Sequence, residues 1–486
     1  MIRPALALFL TLSASAQDTP FAEVLAELEK IHSETGLRNA SLGFAMIPLE
    51  AESPSSLAGY RPDTALLPAS ALKAVTTATA LDLLGPDFRF ETTLQFTGTI
   101  GEDGALHGDV LVTGGGDPTL GAAQTGKLFS GWQEALKKAG IKKIDGRVIG
   151  DASLFGSQLR PDPWQWNDLG NYYAAGACGL TFHRNQFVCR FQTGEPGTAA
   201  KFLGTDPKMP ELTFVNEMRV GAAGSGDHGY VYGAPYTSHL YLRGTVPAGG
   251  SSFAIRGALP DPSFFCARAF TAHLREKKFE VSGEPSTVRL LNIAGEKVDA
   301  ERKDLLSQKS DPLSMLIIPT NHRSNNLYAE CIHRMIGVNK SNDGSTVAAA
   351  RAVTAHWKEK GIDLTGFHMA DGSGLARTNT VTARQMTLIL YHAAKSTHFA
   401  AFSKSLPIAG QSGTMRFIGR GTASEGRVRS KSGSMDRVKS YCGYIQAKSG
   451  ERYAFALFLN SFTGDPGLLK PKIVRVWNKI IAHSPK

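Results

Sequence analysis

The sequence predicts an α/β protein in which one domain is interrupted by a large β-rich insertion. Apolar residues recur at helical spacing in the outer parts of the 486-residue chain, at about 17–90 and 305–486. Between them, at about 91–304, short β-like runs and glycine-rich hairpin signals dominate. Polar motifs around Lys73 and Ser324 lie on opposite sides of the insertion. They can form one site only if the insertion loops out and returns.

Both outer parts contain elements with a clear pattern. Apolar positions 21, 24, 25, 28 and 31 share one helical face. Gly85-Pro86 ends a helix that begins near Ser70. We predict, in chain order, a helix at 21–32, a strand at 41–48, helices at 70–84 and 327–336, paired strands at 438–447 and 453–462, and a closing helix at 467–482. Within the insertion we predict two subdomains, one made of about 91–160 with 250–304 and the other of 161–249.

The first 16 residues have the three parts of an export signal. Arg3 supplies a positive start, residues 5–12 are apolar, and Ala14-Ser15-Ala16 is a small-residue cleavage site. We therefore expect a mature chain that starts at Gln17 and is exported to the periplasm or cell envelope. No later stretch is long and apolar enough to span a bilayer, so we expect membrane association to be peripheral at most. The sequence leaves the oligomeric state open.

Composition argues against several function classes. The formal net charge is +10, but no basic stripe interleaved with aromatics is present, so we expect no nucleic-acid partner. The five cysteines form no C-x-x-C pair and no H-E-x-x-H occurs, so we expect neither a metal nor another cofactor. Cys178 and Cys189 are the closest pair in sequence; export permits a disulfide between them, but free buried thiols are an equal alternative.

The first motif with chemical meaning is Ser70-Ala71-Leu72-Lys73. At a helix start, free N–H groups and the helix dipole favour developing negative charge beside Ser70. Lys73 is three residues on and shares the same helix face. A serine hydroxyl is a weak nucleophile, and a lysine kept neutral by burial can serve as its base. Alone, this motif is more often a helix cap beside a solvated lysine.

The second motif, Ser324-Asn325-Asn326, precedes the predicted helix at 327–336. Ser324 can relay a proton between Lys73 and a leaving amine. Asn326 carries an amide that can both donate to and accept from a substrate peptide bond. Alone, the motif is more often a polar helix start.

The third motif, Lys431-Ser432-Gly433-Ser434, precedes a β run. Gly433 lets a substrate backbone approach an edge strand closely. Lys431 supplies positive charge, and the hydroxyls of Ser432 and Ser434 can hold a terminal carboxylate. The N–H groups of Ser434 and Ser70 can form an oxyanion hole. Alone, the motif is more often a basic surface turn, but the three motifs in this order favour a single catalytic site.

With these residues, the chain resembles the class C low-molecular-mass penicillin-binding proteins, the D-alanyl-D-alanine carboxypeptidase/endopeptidases. All three motifs of that family are present, namely S-x-x-K, S-x-N and K-[ST]-G. In the third motif, serines replace the usual threonines. Residues 114–120 resemble the family's glycine-rich segment, which we interpret as a structural turn, and residues 371–379 resemble the segment that borders its active site. The resemblance implies a penicillin-binding transpeptidase-like domain, a β-sheet flanked by helices, with a large β-rich insertion.

The resemblance also implies a role for each matching residue. Ser70 would be the nucleophile, Lys73 the base, Ser324 the proton relay and Asn326 the substrate amide contact, while Lys431, Ser432, Gly433 and Ser434 would serve the carboxylate and the oxyanion. Peptidoglycan stem peptides would be substrates and β-lactams covalent inhibitors. The residues implied to hold the amino end of the stem peptide are Asp168, Trp166, Tyr173, Leu375 and Arg377, with Trp164 equally near to the tryptophan position.

Two alternative functions remain at this stage. A β-lactamase-like hydrolase would be acylated in the same way, but such chains are much shorter between the motifs, and no residue is identified that activates the deacylating water. A catalytically silent envelope-binding protein could retain the fold. The intact Ser70, Lys73 and Lys431 argue against that alternative.

Overall fold

The two outer parts of the chain together form one five-stranded antiparallel sheet. The computed structural model describes residues 21–483, so the predicted export signal at 1–16 lies outside the described residues. The strand order across the sheet is Ala58–Tyr60, Ser41–Pro48, Arg452–Asn460, Val438–Gln446 and Val428–Met435. The first strand of the chain, Ser41–Pro48, therefore pairs with the last one, and the edge strand Val428–Met435 carries the third motif.

Two helix layers cover this sheet. On one face, Ala22–Ser33 and Leu469–Ala482 pack over alternate strand residues such as Phe455 and Leu457. The opposite face is covered by a larger group of helices, which are Lys73–Leu84, Leu313–His322, Asn326–Ser341, Thr346–Glu359, Ala383–Lys395 and Phe399–Ser405. Because successive strand residues point to opposite faces, both faces of the sheet are buried. The predicted α/β class is confirmed.

The first helix of the larger layer differs from the prediction at its start. We expected one helix over 70–84, beginning near Ser70. The structure has a 3₁₀ turn at Ala69–Leu72, and the α-helix begins only at Lys73. Gly85 ends this helix with a φ of 84°, a conformation that glycine adopts without strain.

The insertion begins with a five-stranded mixed sheet. Its strands, in spatial order, are Ser286–Thr287, Val148–Asp151, Val110–Thr113, Glu91–Phe96 and Lys303–Lys309. A small sheet of Thr99–Ile100, Ala105–His107 and Lys143–Asp145 lies in the same part of the chain. The helices of this part are Thr125–Lys138, Pro262–Glu276 and Val288–Ile293. Since Lys303–Lys309 pairs with Glu91–Phe96, the insertion continues past the boundary expected at residue 305.

Two further sheets make up the rest of the insertion. One contains Lys201–Asp206, Gln186–Gln192 and Phe253–Ala258, and the other contains Thr213–Asn216, Arg219–Gly221, His228–Tyr232 and His239–Pro247. We expected residues from about 250 onward to belong with 91–160. Instead, Phe253–Ala258 pairs with Gln186–Gln192. The hydrogen-bonded partner of a strand lies far along the chain, which local sequence patterns do not reveal.

Three local features complete the fold. A Cβ at Gly115 would lie 1.9 Å from the Glu91 carbonyl oxygen, so the glycine-rich segment is a tightly packed turn. All five cysteines are buried and free, including Cys178 and Cys189. Between residues 21 and 483, no helix is long and apolar enough to cross a membrane.

Candidate active site

Ser70 is half-buried in the 3₁₀ turn that precedes the helix Lys73–Leu84. The neighbouring Ala69 has a φ of 46°, in the left-handed region that residues with a Cβ rarely adopt. Gly374 packs against this turn, and a Cβ at Gly374 would lie 1.9 Å from the Ala69 carbonyl oxygen. The surrounding chain therefore holds the turn in a strained conformation, as is common at functional sites.

Lys73 is fully buried and its ammonium group has three hydrogen-bond acceptors. Nζ donates to Ser70 Oγ at 3.0 Å, to Asn326 Oδ1 at 2.6 Å and to the Ser373 carbonyl oxygen at 2.6 Å. Three separate chain segments therefore fix the amine beside the serine hydroxyl. This geometry brings the first two motifs together.

Burial sets the protonation of Lys73. Loss of hydration lowers the pKa of Lys73 to about 7, although the carboxylates of Asp371 and Glu330 favour its charged form. A lysine with this pKa is neutral in a large fraction of molecules near neutral pH. It can then accept the proton of an adjacent hydroxyl.

Ser324 and Asn326 flank the start of the helix Asn326–Ser341. Asn325 caps this helix by accepting from the Tyr328 N–H at 3.3 Å, and Ser324 has a φ of 53°. Asn326 accepts from Lys73 through Oδ1 and donates through Nδ2 to the Tyr173 carbonyl oxygen at 2.7 Å. One hydrogen of that amide remains for a substrate.

Lys431 binds Ser324 and is the second buried lysine of the site. Its Nζ donates to Ser324 Oγ at 3.0 Å and to the Ser432 carbonyl oxygen at 2.6 Å. Burial holds the pKa of Lys431 well below its ordinary value, and the nearby Lys73 lowers it further. We predicted that Ser324 relays protons to and from Lys73, but its hydrogen-bond partner in the structure is Lys431.

The edge strand Val428–Met435 presents backbone groups toward the site. On the open side of the strand, the Val428 carbonyl accepts from the Ala409 N–H and the Ser430 N–H donates to the Pro407 carbonyl, each at 2.9 Å. Because alternate residues of a strand point their backbone groups the same way, the N–H groups of Ser432 and Ser434 also face that side. They are therefore available to a ligand.

Gly433 allows this strand to approach the turn that carries Ser70. A Cβ at Gly433 would lie 2.5 Å from the Pro68 carbonyl oxygen and 2.2 Å from Ser440 Oγ. The neighbouring hydroxyls are engaged: Ser432 Oγ donates to Thr414 Oγ1 at 2.7 Å, and Lys439 Nζ donates to Ser434 Oγ at 2.7 Å. The third motif thus lies against the first.

Glu330 is a buried residue of the site that the sequence analysis did not identify. Its carboxylate accepts from the Ser373 N–H at 2.7 Å and the Gly372 N–H at 3.1 Å, and the Ser373 carbonyl accepts from Lys73. Burial raises the pKa of Glu330 to about 7, and the charge of Asp371 acts in the same direction. Glu330 lies four residues after Asn326, on the same helix face, and this spacing was the available signal.

Asp371 is fully buried beside Glu330 and joins the insertion to the site. Its carboxylate accepts from Trp164 Nε1 at 2.8 Å, the Gly374 N–H at 2.7 Å and the Ala376 N–H at 2.6 Å. The resemblance pointed to residues 371–379 as a border of the site, but it did not indicate that Asp371 joins the insertion to the site.

The residues expected to hold the amino end of a stem peptide lie on both sides of this junction. Tyr173 donates its hydroxyl to Asp168 Oδ1 at 2.9 Å, while Tyr173 and Leu375 pack against a small core that contains Trp164. Burial and then Asp168 raise the pKa of Tyr173 above its ordinary value.

The two tryptophans and Arg377 differ in exposure. Trp166 is 53% exposed, whereas Trp164 is 5% exposed and bonded to Asp371. Trp164 is therefore a structural residue, and Trp166 is the tryptophan that a ligand can reach. Arg377 is exposed two residues after Leu375.

Comparison with known proteins identifies the family. Residues 24–475 match the D-Ala-D-Ala carboxypeptidase 3 (S13) family, and the chain belongs to that family. The sequence is 28% identical to the D-alanyl-D-alanine carboxypeptidase of Actinomadura sp. (strain R39), over 93% of this chain and 83% of that protein. It is also 28% identical to the D-alanyl-D-alanine carboxypeptidase DacB of Haemophilus influenzae, over 84% of each. The resemblance stated from the motifs is confirmed.

Solved structures share the fold. Penicillin binding protein 4 from Haemophilus influenzae is 26% identical and superposes with a TM-score of 0.78, over 94% of this chain and 98% of that one. A predatory peptidoglycan endopeptidase from Bdellovibrio bacteriovorus, 18% identical, superposes with a TM-score of 0.52 over 91% of this chain and 93% of that one. The fold is thus shared with these proteins over more than nine-tenths of the chain.

Proposed function

We propose that this protein is a serine-type D-Ala-D-Ala carboxypeptidase/endopeptidase that acts on peptidoglycan stem peptides through an acyl-enzyme at Ser70. The observation that carries the proposal is the buried Lys73 Nζ, 3.0 Å from Ser70 Oγ. Family membership over residues 24–475 and the name of the penicillin-binding relative support the same reaction. β-Lactams acylate the same serine in this proposal.

Acylation begins when neutral Lys73 accepts the proton of Ser70. Ser70 Oγ then attacks the carbonyl carbon of the penultimate D-alanine, and the carbonyl oxygen becomes an oxyanion. The N–H groups of Ser70 and Ser434 stabilise this oxyanion, and each such donor contributes about a hundred- to a thousandfold in rate.

Departure of the leaving group requires a proton on its nitrogen. The proton that Lys73 took from Ser70 passes through the hydroxyl of Ser324 to the leaving amine as the C–N bond breaks, and Lys73 is neutral again. Lys431 Nζ, 3.0 Å from Ser324 Oγ, holds that hydroxyl in place. Water then attacks the Ser70 ester and gives a proton to Lys73, which passes a proton to Ser70 Oγ as the ester bond breaks; the shortened peptide leaves and the hydroxyl is restored. The terminal carboxylate of a substrate accepts hydrogen bonds from Lys431 Nζ and from the hydroxyl of Ser432.

The insertion selects the substrate in this proposal. Asp168, with Trp166 and Tyr173, receives a free amine at the end of the stem side chain, and Arg377 receives a carboxylate beside that amine. The predicted signal at 1–16 supports export of the protein to the periplasm or cell envelope, where such peptides are found.

Product analysis tests the proposed reaction. The purified protein is incubated with a D-Ala-D-Ala-terminated muropeptide and, separately, with its cross-linked dimer, and the products are identified by mass. Loss of one alanine reports carboxypeptidase activity, and conversion of dimer to monomers reports endopeptidase activity. Ser70→Ala is the control; turnover by that variant, or none by the wild type on either substrate, contradicts the proposal.

A further inference from the structure

One sheet face of the insertion exposes aromatic side chains where polar residues are usual. On the strands His228–Tyr232 and His239–Pro247, the inward positions are buried apolar residues, namely Val231, Leu240 and Leu242. The alternate, outward positions carry Tyr230, Tyr232, Tyr241 and Arg243. Tyr230 and Tyr241 are each 38% exposed. We call these four outward residues, together with Trp166, the aromatic face.

Neighbouring side chains hold the rings of the aromatic face in place. Arg243 is bound to Glu217 through Nε at 2.5 Å, and its guanidinium lies 5.7 Å from the ring centre of Tyr232 and 5.1 Å from that of Tyr241. Since Glu217 neutralises Arg243, the face has no excess charge to attract an anionic lipid or a nucleic acid. Rings fixed before binding lose little conformational entropy when a ligand covers them.

The aromatic face is continuous with the candidate active site. The Trp166 ring centre lies 6.1 Å from that of Tyr232, and Trp166 shares the short helix Trp166–Leu169 with Asp168. Asp168 accepts from Tyr173, whose carbonyl accepts from Asn326, a direct partner of Lys73. A ligand that extends from the active site past Asp168 therefore meets Trp166 first and Tyr232 next.

We propose that the aromatic face binds the glycan strand of peptidoglycan, a neutral polymer of N-acetylated hexosamines. This proposal rests on the proposed function, because stem peptides are covalently attached to that polymer and bring it close to Ser70. The C–H faces of a pyranose ring pack on aromatic rings, while the tyrosine hydroxyls and Arg243 can bond the sugar hydroxyl and acetamido groups. Adjacent exposed aromatic rings of this kind are typical of interaction sites.

The test uses peptide-free glycan strands, released from sacculi by an amidase, as the binding probe for the full-length protein. Tyr241→Ala removes an exposed ring, Tyr241→Phe keeps it, and Ile293→Ala is a control at another exposed apolar residue (71% exposed). We expect Tyr241→Ala to weaken binding about three- to tenfold, as expected for the loss of one stacked ring. We expect Tyr241→Phe and Ile293→Ala to bind like the wild type.

Hydrolysis of a short soluble D-Ala-D-Ala peptide, measured in parallel, separates this inference from the proposed function. Normal hydrolysis by Tyr241→Ala with weakened glycan binding supports the glycan site. Equal glycan binding by Tyr241→Ala and wild type overturns it, as does a change of oligomeric state in Tyr241→Ala, which would make the face an interface between copies. Absence of hydrolysis in the wild type would instead contradict the proposed function. The comparison of glycan binding between Tyr241→Ala and the wild type would still decide whether the aromatic face binds glycan.

Discussion

The centre around Ser70 and the group of residues around Asp168 that we propose to bind the stem-peptide amine, which we call the pocket, are built in different ways. In the centre, Lys73 and Lys431 are fully buried, and bonds from separate segments fix each amine. In the pocket, Trp166 is 53% exposed and Asp168 is half-buried with a bond to Tyr173. The chemistry requires lysines with a lowered pKa, which burial provides here, whereas selection of a charged ligand requires groups that the ligand can reach. Changes in the centre should therefore stop the reaction, and changes in the pocket should alter its preference.

The largest effect is expected from Lys73→Ala. The loss of a general base reduces rates by about a hundred- to ten-thousandfold. The rate of acylation by a fluorescent penicillin should therefore fall at least about a hundredfold. Circular dichroism should remain that of the wild type. Lys143→Ala, at a half-buried lysine of the insertion paired with Asp103, is the control and should acylate normally. Near-normal acylation of a folded Lys73→Ala protein would show that the base lies elsewhere.

Asp168→Ala should have a smaller effect that depends on the substrate. A hydrogen bond to a charged group contributes about 1.5–3 kcal/mol, so kcat/KM for amine-bearing stem peptides should fall about tenfold or more. Hydrolysis of the N-acetylated peptide should change little, because that peptide has no ammonium to lose. Asp162→Ala, at an exposed carboxylate of the same region, is the matched control. Equal losses on both peptides would remove the pocket from substrate selection and leave the Ser70 centre unaffected.

The smallest effect is expected from Glu330→Gln, and it should appear in the pH profile of acylation. The rate should rise with pH through the pKa of Lys73, about 7, because only neutral Lys73 accepts a proton. An ionised Glu330 raises the pKa of Lys73, so its replacement should lower that pKa and move the acid limb of the pH profile to lower pH. The other charges that face Glu330 are Asp371 and Arg334.

A control distinguishes this effect from simple loss of packing. Asp151→Asn removes another buried carboxylate, bound to Arg302 in the insertion, and should lower stability without moving the acid limb. If Glu330→Gln lowers the rate equally at every pH, Glu330 has only a structural role.

The sequence predicted the centre better than the pocket, for a physical reason. Ser70 and Lys73 lie one helical turn apart, and the strands 438–447 and 453–462 are close in the chain, so local spacing determines both relations. The partner of Ser324 could not be predicted in this way, because Lys431 reaches it from a distant strand. The bond between Trp164 and Asp371 also joins distant segments, and local composition does not indicate which tryptophan is buried.

The most direct test of the central claim is the site of a covalent β-lactam adduct. After incubation with penicillin, intact mass followed by peptide mapping should show one adduct, on the peptide that contains Ser70. Ser70→Ala should give no adduct while retaining the wild-type circular dichroism. An adduct on any other serine, or none on the folded wild-type protein, would contradict the account of a nucleophilic Ser70 activated by Lys73.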